Sequence, residues 1–192
     1  MNLLRLMFFS ILPAVAIEPC QLLVATRALG DPNFSKTVIL VAEVRPPGVL
    51  GLVLNRSMRN VPLSRVFAEA KKISDPVYFG GPVDRGRMVA LSRDSKAKAF
   101  CGNIQLLAED KQLNKVLDSY PGASQLRIYA GYAGWGKGQL ENEIRLGGWS
   151  VAPFQAVAVF DAKPGTLWER LIANTETMLA RLVLFRSPSS PL

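Results

Sequence analysis

Histidine is absent from the 192 residues of this sequence, and its absence excludes several kinds of functional site. A Ser-His-Asp triad, a Cys-His pair, a histidine metal site and a histidine pH switch all need the imidazole ring. Cysteine is scarce, because Cys20 and Cys101 form no C-x-x-C motif and are too few for a structural zinc site. We therefore expect no metal and no cofactor. The two thiols would pair in an oxidising compartment and stay free in the cytosol.

The N-terminal segment lacks an apolar run long enough to span a membrane. Its run at residues 6–12 is far shorter than the ~20 residues of a spanning helix, so no transmembrane segment is expected. Arg5 precedes the run and Pro13 ends it before Ala14-Val15-Ala16, a pattern typical of a short export signal over residues 1–16. The alternative is an apolar extension, residues 1–19, that packs on the domain.

The overall composition is that of one folded domain. Hydrophobic residues make up 49% of the chain and charged residues 20%, which is typical of a globular rather than a disordered protein. A chain of 192 residues is long enough to bury a substantial core. We place the domain at residues 20–185, followed by a frayed tail, RSPSSPL, at residues 186–192.

Positive charge is concentrated in one part of the chain, whose formal net charge is +8. Residues 56–98 carry ten Lys or Arg against four Asp or Glu, which leaves a net charge of +6 for this segment. Such a segment either attracts nucleic acid or another polyanion, or is a solvated surface. No helix-turn-helix, zinc module or aromatic RNA-binding strand accompanies the charge, so nucleic acid is not the favoured partner.

Hydrophobic periodicity and turn residues divide the domain into strands and helices. Strands are predicted at residues 21–26, 37–44, 49–55, 77–79, 87–91, 100–104 and 126–130, and within 149–160. Helices are predicted at residues 61–72, 110–120, 139–144 and 166–184. We expect Leu113 and Leu117 to face the core from the second helix, and Leu171 and Met178 from the last.

A glycine-rich stretch follows the strand predicted at residues 126–130. Four glycines lie within residues 131–138 and helix formers follow, which predicts a strand, a glycine-rich turn and a helix. Residues 131–137 fit the first seven positions of the phosphate-binding loop, but Gly138 lacks the hydroxyl group that ligates Mg²⁺. We therefore expect no nucleotide site. The stretch either holds a ligand on its backbone amides or forms a tight crossover with Trp135 in the core.

Four phrases of the sequence occur together in one known family. They are GDPNF at residues 30–34, GLVLNR at 51–56, FGGPV at 79–83 and GYAGWGKGQLENEI at 131–144. In this order and spacing, the chain resembles the AlgH/YqgE family of bacterial proteins. The resemblance implies a single α+β domain with a curved, partly barrel-like, mixed or antiparallel sheet flanked by helices. It also implies a cytoplasmic location, and export through residues 1–16 is the alternative.

The resemblance implies no agreed biochemical activity, although some family members are named as transcriptional regulators. Matched positions at turns and strand ends are candidate ligand contacts, because loop residues on a rigid scaffold tend to carry function. These are Asp31, Asn33, Asn55, Arg56, Gly80, Gly81, Gly131, Tyr132 and Trp135. We predict a binding module for an unknown small ligand or protein partner. Regulation through nucleic acid is the second interpretation.

A hydrolase-type enzyme is the least favoured interpretation. The available acids and bases are Asp31, Glu43, Glu141 and Glu143, with Arg56 as an anion clamp. Glu141 and Glu143 are two residues apart on a predicted helix and so do not share a face. Because an active site needs convergent groups that this spacing does not provide, we assign no catalytic residue.

Overall fold

The computed structural model describes the backbone of residues 16–45, 48–93 and 99–186, and their side chains except those of 45 and 179–186. The expected export signal and the tail therefore lie almost wholly outside the described residues. Those residues form nine strands: β1 (Leu22–Ala25), β2 (Val38–Arg45), β3 (Gly48–Val53), β4 (Ser57–Pro62), β5 (Pro76–Phe79), β6 (Val83–Ser92), β7 (Gln105–Leu107), β8 (Leu126–Gly136) and β9 (Trp149–Ala152).

Five α-helices accompany the strands in the described part of the chain. They are α1 (Leu63–Val66), α2 (Asp110–Asp118), α3 (Gln139–Arg145), α4 (Ala156–Val159) and α5 (Leu167–Arg186), with 3₁₀ turns at Ala68–Ala70 and Pro164–Thr166. Within the described part of the chain, no helix combines the length and the apolar character that a membrane crossing requires.

The strands form one mixed sheet, in the order β4-β5-β8-β3-β2-β1-β9, and β6 pairs with both β7 and β8. Every described pairing is antiparallel except that of β5 with β8. The expected α+β domain with a mixed sheet flanked by helices is confirmed. The sheet is not closed, because β4 and β9 end the strand path without pairing to each other among the described residues.

The longest strand, β8, replaces the glycine-rich turn that the sequence predicts after residue 130. The prediction of a turn is wrong because the strand runs on through Gly136, and buried residues alternate with more exposed ones from Gly131 onward. Gly131, Ala133 and Trp135 are buried, whereas Gly134 and Gly136 are exposed. The first part of β8 pairs with β5 and β6, and its last four residues pair with β3. This strand therefore joins the two halves of the sheet.

The helix predicted at residues 61–72 is also wrong. The segment begins as the end of β4, forms the single turn α1, and then becomes extended at Phe67, where φ is −121° and ψ is 130°. The Leu63 N–H donates to the Asp75 carbonyl and the Ser64 N–H donates to the Ile73 carbonyl, so the chain folds back on itself. These non-local bonds prevail over a helical periodicity that is only weakly stabilising by itself.

The other long helices lie where the periodicity predicts them. Leu113 and Leu117 on α2 and Leu171 on α5 are buried, but Met178, expected to face inward, is 62% exposed. The helix α5 packs on β1, and the indole N–H of Trp168 donates to the Ala25 carbonyl at 2.7 Å. The strand predicted at residues 100–104 is reduced to one isolated bridge, and β7 begins at the next residue.

Cys20 and Cys101 form a disulfide, with their Cα atoms 5.5 Å apart. It joins the segment before β1 to the turn that precedes β7. Cys101 belongs to the larger of two apolar clusters, together with residues of β1, β2, β3 and α5. The smaller cluster lies around Leu63, Leu113 and Ile128, and β8 contributes to both clusters.

Candidate functional site

The turn at residues 31–37 is held by the side chains of Asn55 and Arg56, which follow β3. The Asn55 amide accepts from the Val38 N–H at 2.9 Å and donates to the Lys36 carbonyl at 2.9 Å. Both functional groups of this buried side chain are thereby satisfied, as burial of an amide requires. Asn55 thus fastens the turn to the start of β2.

Arg56 fastens the same turn from its outer side. Its Nη1 and Nη2 atoms donate to the carbonyl oxygens of Asn33 at 2.6 Å and Ser35 at 2.7 Å. Burial lowers the pKa of Arg56, and the nearby negative charge of Asp31 partly counteracts this effect. An arginine stays protonated at neutral pH even so, which leaves a positive charge fixed in position beside the turn.

An open cleft of about 550 Å³ lies beside this turn. We call it the arginine cleft, and its lining residues are Pro32, Asn33, Asn55, Arg56, Ser57, Arg59, Phe79, Arg85 and Gly165. These residues include three arginines and no carboxylate. The Phe79 ring centroid lies 6.0 Å from the Arg56 guanidinium and 5.4 Å from that of Arg85. The cleft is therefore a positively charged surface with an aromatic base.

Asp31 supports the cleft without lining it. One of its carboxylate oxygens accepts from the Asn33 N–H at 2.7 Å, and its carbonyl accepts from the N–H groups of Phe34 and Ser35. This arrangement is a local turn of the kind that aspartate favours. Asp31 thus shapes the loop that presents Asn33 to the cleft.

The three candidate glycines permit a close crossing of two backbone segments. A Cβ atom at Gly80 would lie 2.2 Å from the Gly131 carbonyl oxygen, and one at Gly81 would lie 2.0 Å from the Tyr132 carbonyl carbon. Gly131 has a φ of +70°, a conformation that side chains disfavour. None of these glycines lines the arginine cleft. Their places in the fold are accounted for by the contact between residues 80–83 and β8.

Trp135 is a core residue, being 4% exposed, as the crossover interpretation of the glycine-rich stretch predicts. Its indole N–H donates to Glu143 at 3.0 Å, and the Trp149 indole donates to the same carboxylate oxygen at 2.8 Å. The Phe34 ring stacks on Trp135 with 6.0 Å between ring centroids. This aromatic group fixes α3 against β8.

The nucleotide interpretation of residues 131–137 has no support in this arrangement. Residues 131–136 belong to a strand, and the next helix begins only at Gln139 and has seven residues. A phosphate-binding loop wraps its ligand with a turn that leads directly into a helix. Tyr132, the remaining candidate, is half-buried and borders two other depressions with Glu43 and Leu50. The candidate residues, which the sequence analysis groups as contacts of one ligand, therefore lie at several separate places.

Six residues that line the cleft are not among the candidates from the sequence, and the charged or aromatic ones are Arg59, Phe79 and Arg85. Phe79 lies in one of the four motif phrases, but the sequence assigns it only to a strand. Arg59 and Arg85 are outside these phrases and belong to the basic segment at residues 56–98. Arg85 reaches the cleft because the register of β6 on β8 shifts between Val83 and Met88. Asp84 within this irregularity has a φ of +44°. No periodicity in the sequence indicates such a shift.

The fold and the cleft define an α+β domain built on one open, nine-stranded mixed sheet. The chain belongs to the AlgH-like family (DUF179), whose model matches residues 22–180. The resemblance noted in the sequence is thereby confirmed. Two UPF0301 proteins and the AlgH protein, to which the chain is similar, have names that state no ligand, partner or reaction.

Two relatives and one solved structure show the extent of the similarity. A UPF0301 protein of Thermobifida fusca is 37% identical over 182 residues, covering 85% of this chain and 90% of the relative. A UPF0301 protein of Streptomyces avermitilis is 35% identical over 187 residues, covering 89% and 92%. The solution structure of the AlgH protein from Pseudomonas aeruginosa superposes with a TM-score of 0.65 at 28% identity, covering 90% of this chain and 94% of AlgH.

Proposed function

We propose that this protein is a non-catalytic binding module whose arginine cleft holds a small anionic ligand. The observation that carries the proposal is the lining of the cleft, where Arg56, Arg59 and Arg85 meet and no carboxylate is present. Like charges brought together at one concave surface repel each other, and an anion between them removes that repulsion.

The three arginines differ in how they are held. Arg56 is fixed by its two backbone carbonyl partners. Arg59 and Arg85 are exposed and make no ion pair or hydrogen bond through their side chains with any described residue. Their planar guanidinium groups are therefore available for the paired hydrogen bonds that arginine makes to carboxylate or phosphate. The ligand class is a compound with one or more of these groups.

Binding is favoured over catalysis because the candidate acids do not reach the cleft. Asp31 is engaged with the Asn33 N–H, and Glu143 accepts from two indoles and from the Gln139 amide. Neither residue lines the cleft. A general acid or base must lie within hydrogen-bonding reach of its substrate, so these carboxylates are poorly placed for that role.

A second candidate ligand is the backbone of a nucleic acid. All three arginines of the cleft come from the basic segment at residues 56–98. Phosphate contacts of this kind give affinity that falls steeply with salt and depends little on base sequence. This candidate corresponds to the regulator interpretation, and it is tested in the same experiment.

Calorimetric titration with inorganic pyrophosphate and with citrate at low ionic strength tests the proposal. We expect saturable binding that Arg59→Gln and Arg85→Gln each weaken by about tenfold, the scale of one charged hydrogen bond. Arg145→Gln is the matched control, because Arg145 is exposed on α3, away from the cleft. Equal binding by all three variants would reject the cleft as the site.

A fluorescence-anisotropy titration with a short oligonucleotide at about 50 and 200 mM salt separates the two candidate ligands. Nucleic-acid affinity that survives the higher salt and is lost in Arg85→Gln would favour the regulator. Weak, salt-sensitive and sequence-independent binding would favour the small anion.

A further inference from the structure

A second concave site lies apart from the arginine cleft, between β3, β6 and the segment that precedes β7. It has a volume of about 210 Å³, and its walls are mainly Leu50, Leu52, Val89, Phe100 and Leu106. We call it the apolar pocket. An apolar cavity of about 150 Å³ is sufficient to hold a benzene ring. The apolar pocket therefore has room for a small hydrocarbon group.

The polar residues of the apolar pocket include a cation without a partner. Arg87 lines the pocket, is exposed, and makes no ion pair or hydrogen bond through its side chain with any described residue. Glu43 also lines the pocket, but it already interacts within the chain. The pocket thus offers apolar walls and one guanidinium group that a ligand can use.

We infer that the apolar pocket binds a small monocarboxylic acid, with its hydrocarbon part against Leu50, Leu52 and Val89 and its carboxylate on Arg87. Burial of the hydrocarbon supplies most of the affinity, since apolar area removed from water is the main favourable contribution in such sites. The guanidinium selects the carboxylate, because it can donate two parallel hydrogen bonds to this group. This inference does not depend on the function proposed for the arginine cleft.

The disulfide holds one wall of the apolar pocket in place. Phe100 precedes Cys101, which is bonded to Cys20, and the N–H groups of Phe100 and Cys101 both donate to the Ile104 carbonyl. The backbone beneath the Phe100 ring is therefore fixed before any ligand arrives. A preformed wall lowers the entropy lost on binding, so reduction of the disulfide should weaken the complex.

A depression of about 640 Å³ adjoins the apolar pocket, and both are lined by Glu43, Leu50 and Tyr132. Gly134 lines this depression and has no side chain to narrow it. A Cβ atom at Gly134 would lie 3.5 Å from the Tyr132 ring and 3.8 Å from Leu50, which is ordinary contact, and its φ is not positive. A larger side chain at this position can therefore narrow the depression without straining the backbone.

Methyl NMR with hexanoate, hexanol and hexylamine tests the inference, because these probes share one hydrocarbon chain and differ in the head group. We expect hexanoate to shift the methyl signals of Leu50, Leu52 and Val89 saturably, and those of Leu113 and Leu117 on the other core cluster to stay unchanged. Hexanol should bind about tenfold more weakly, the effect of losing a charged hydrogen bond. Equal affinity for the alcohol, or tighter binding of the amine, would overturn the assignment.

Two variants, each with a matched control, make the test specific to this pocket. Arg87→Met should reduce hexanoate affinity to that of hexanol, and Arg145→Met, at an exposed position on α3, should leave it unchanged. Gly134→Leu should weaken all three probes, whereas Gly30→Leu, at an exposed position that lines neither the pocket nor the adjoining depression, should not. Hexanoate binding that is insensitive to Arg87→Met would reject the site. The methyl signals come from residues outside the arginine cleft, so this result and the pyrophosphate result can fail separately.

Discussion

The guanidinium of Arg56 donates to the Asn33 carbonyl oxygen at 2.6 Å and so connects the end of β3 to a turn 23 residues earlier in the sequence. The same group donates to Ser35, and its neighbour Asn55 binds Lys36 and Val38. Two adjacent side chains after one strand therefore determine the conformation of the loop that borders the arginine cleft. A residue that positions a site in this way affects stability as well as binding.

Replacing Arg56 by lysine keeps the positive charge. The lysine ammonium, however, is not a planar fork and cannot donate to two carbonyl oxygens as the guanidinium does. We expect Arg56→Lys to lower the free energy of unfolding by about 2 kcal/mol, the range for hydrogen bonds to a charged group. Urea denaturation measures this change. The matched Arg59→Lys variant, at an exposed position with no side-chain hydrogen bond or ion pair to a described residue, should change stability by less than about 0.5 kcal/mol. Equal effects of the two variants would contradict the positioning role of Arg56.

Trp135 is expected to contribute through both its ring and its N–H group. Trp135→Ala should destabilise the protein by about 3–5 kcal/mol, the range for deleting a large buried aromatic side chain. Trp135→Phe keeps most of the packing but leaves one Glu143 oxygen without this donor, so we expect a loss of about 1 kcal/mol. Thermal or chemical denaturation separates the two contributions.

Lys137→Ala is the control for the glycine-rich stretch, because Lys137 is exposed and follows the end of β8. It should change stability by less than about 0.5 kcal/mol. Titration with Mg-ATP and Mg-GTP should show no affinity that depends on Lys137. Micromolar nucleotide binding that disappears in this variant would restore the phosphate-loop interpretation.

Tyr129 makes the stability of the fold sensitive to alkaline pH. Burial raises its pKa above the ordinary value of 10.0, and the charge of Arg127 only partly opposes this effect. Above pH 10 the unfolded chain loses this proton while the folded chain keeps it. The free energy of unfolding therefore falls with rising pH, by up to about 1.4 kcal/mol per pH unit for this residue.

Denaturation at a series of alkaline pH values measures the slope, which Tyr129→Phe should reduce. The Tyr129 hydroxyl lies near the Arg127 guanidinium but makes no hydrogen bond of normal geometry in the described part of the chain. Its removal should therefore be neutral or stabilising near pH 7. A large loss of stability near neutral pH would show that the hydroxyl has a structural role.

The disulfide closes a loop between residues that are 81 positions apart. The double variant Cys20→Ser, Cys101→Ser should lose about 2–4 kcal/mol of stability, because its unfolded chain is no longer restricted. Dithiothreitol should destabilise the wild-type protein by a similar amount and leave the double variant unaffected. An effect of the reductant on the double variant would assign the loss to another cause.

The boundary of the mature chain stays a prediction. If residues 1–16 are an export signal, protein purified from its own host should begin at Ile17 when its mass is measured. Ile17 is 8% exposed and belongs to the larger apolar cluster, so cleavage before it would leave this core residue in the mature chain. Intact residues 1–16 on most molecules would remove the export interpretation and favour the packed extension.

Local patterns in the sequence were sufficient for much of the fold. The runs in β1, β2 and β3, the apolar stripe of α2 and the burial of Trp135 all follow from periodicity or residue size. The failures were at positions that depend on distant partners. Residues 61–72 have a helical pattern, but the chain pairs with Asp75 and Ile73 instead. Gly131, Gly134 and Gly136 suggest a turn in isolation, whereas all three belong to β8, and Gly131 lies against the backbone of Gly81 and Val83.

The sequence predicted only part of the candidate site, because the rest of it also depends on distant partners. Asn33, Asn55 and Arg56 meet in one cleft because β2 and β3 are adjacent in sequence and in space. Phe79 and Arg85 join them only through the pairings of β5 and β6 with β8, which no local pattern encodes. Whether these residues bind a ligand is the question that the pyrophosphate titration addresses.

The strand β8 has a consequence for how the molecule comes apart. Because it is hydrogen-bonded to β3 at one end and to β5 and β6 at the other, neither half of the sheet can melt without exposing amides of the other half. Partial opening is therefore costly, and unfolding should occur in one cooperative transition. In hydrogen exchange, the amides of Tyr129 and Ala133 should then be released together, at the free energy of global unfolding.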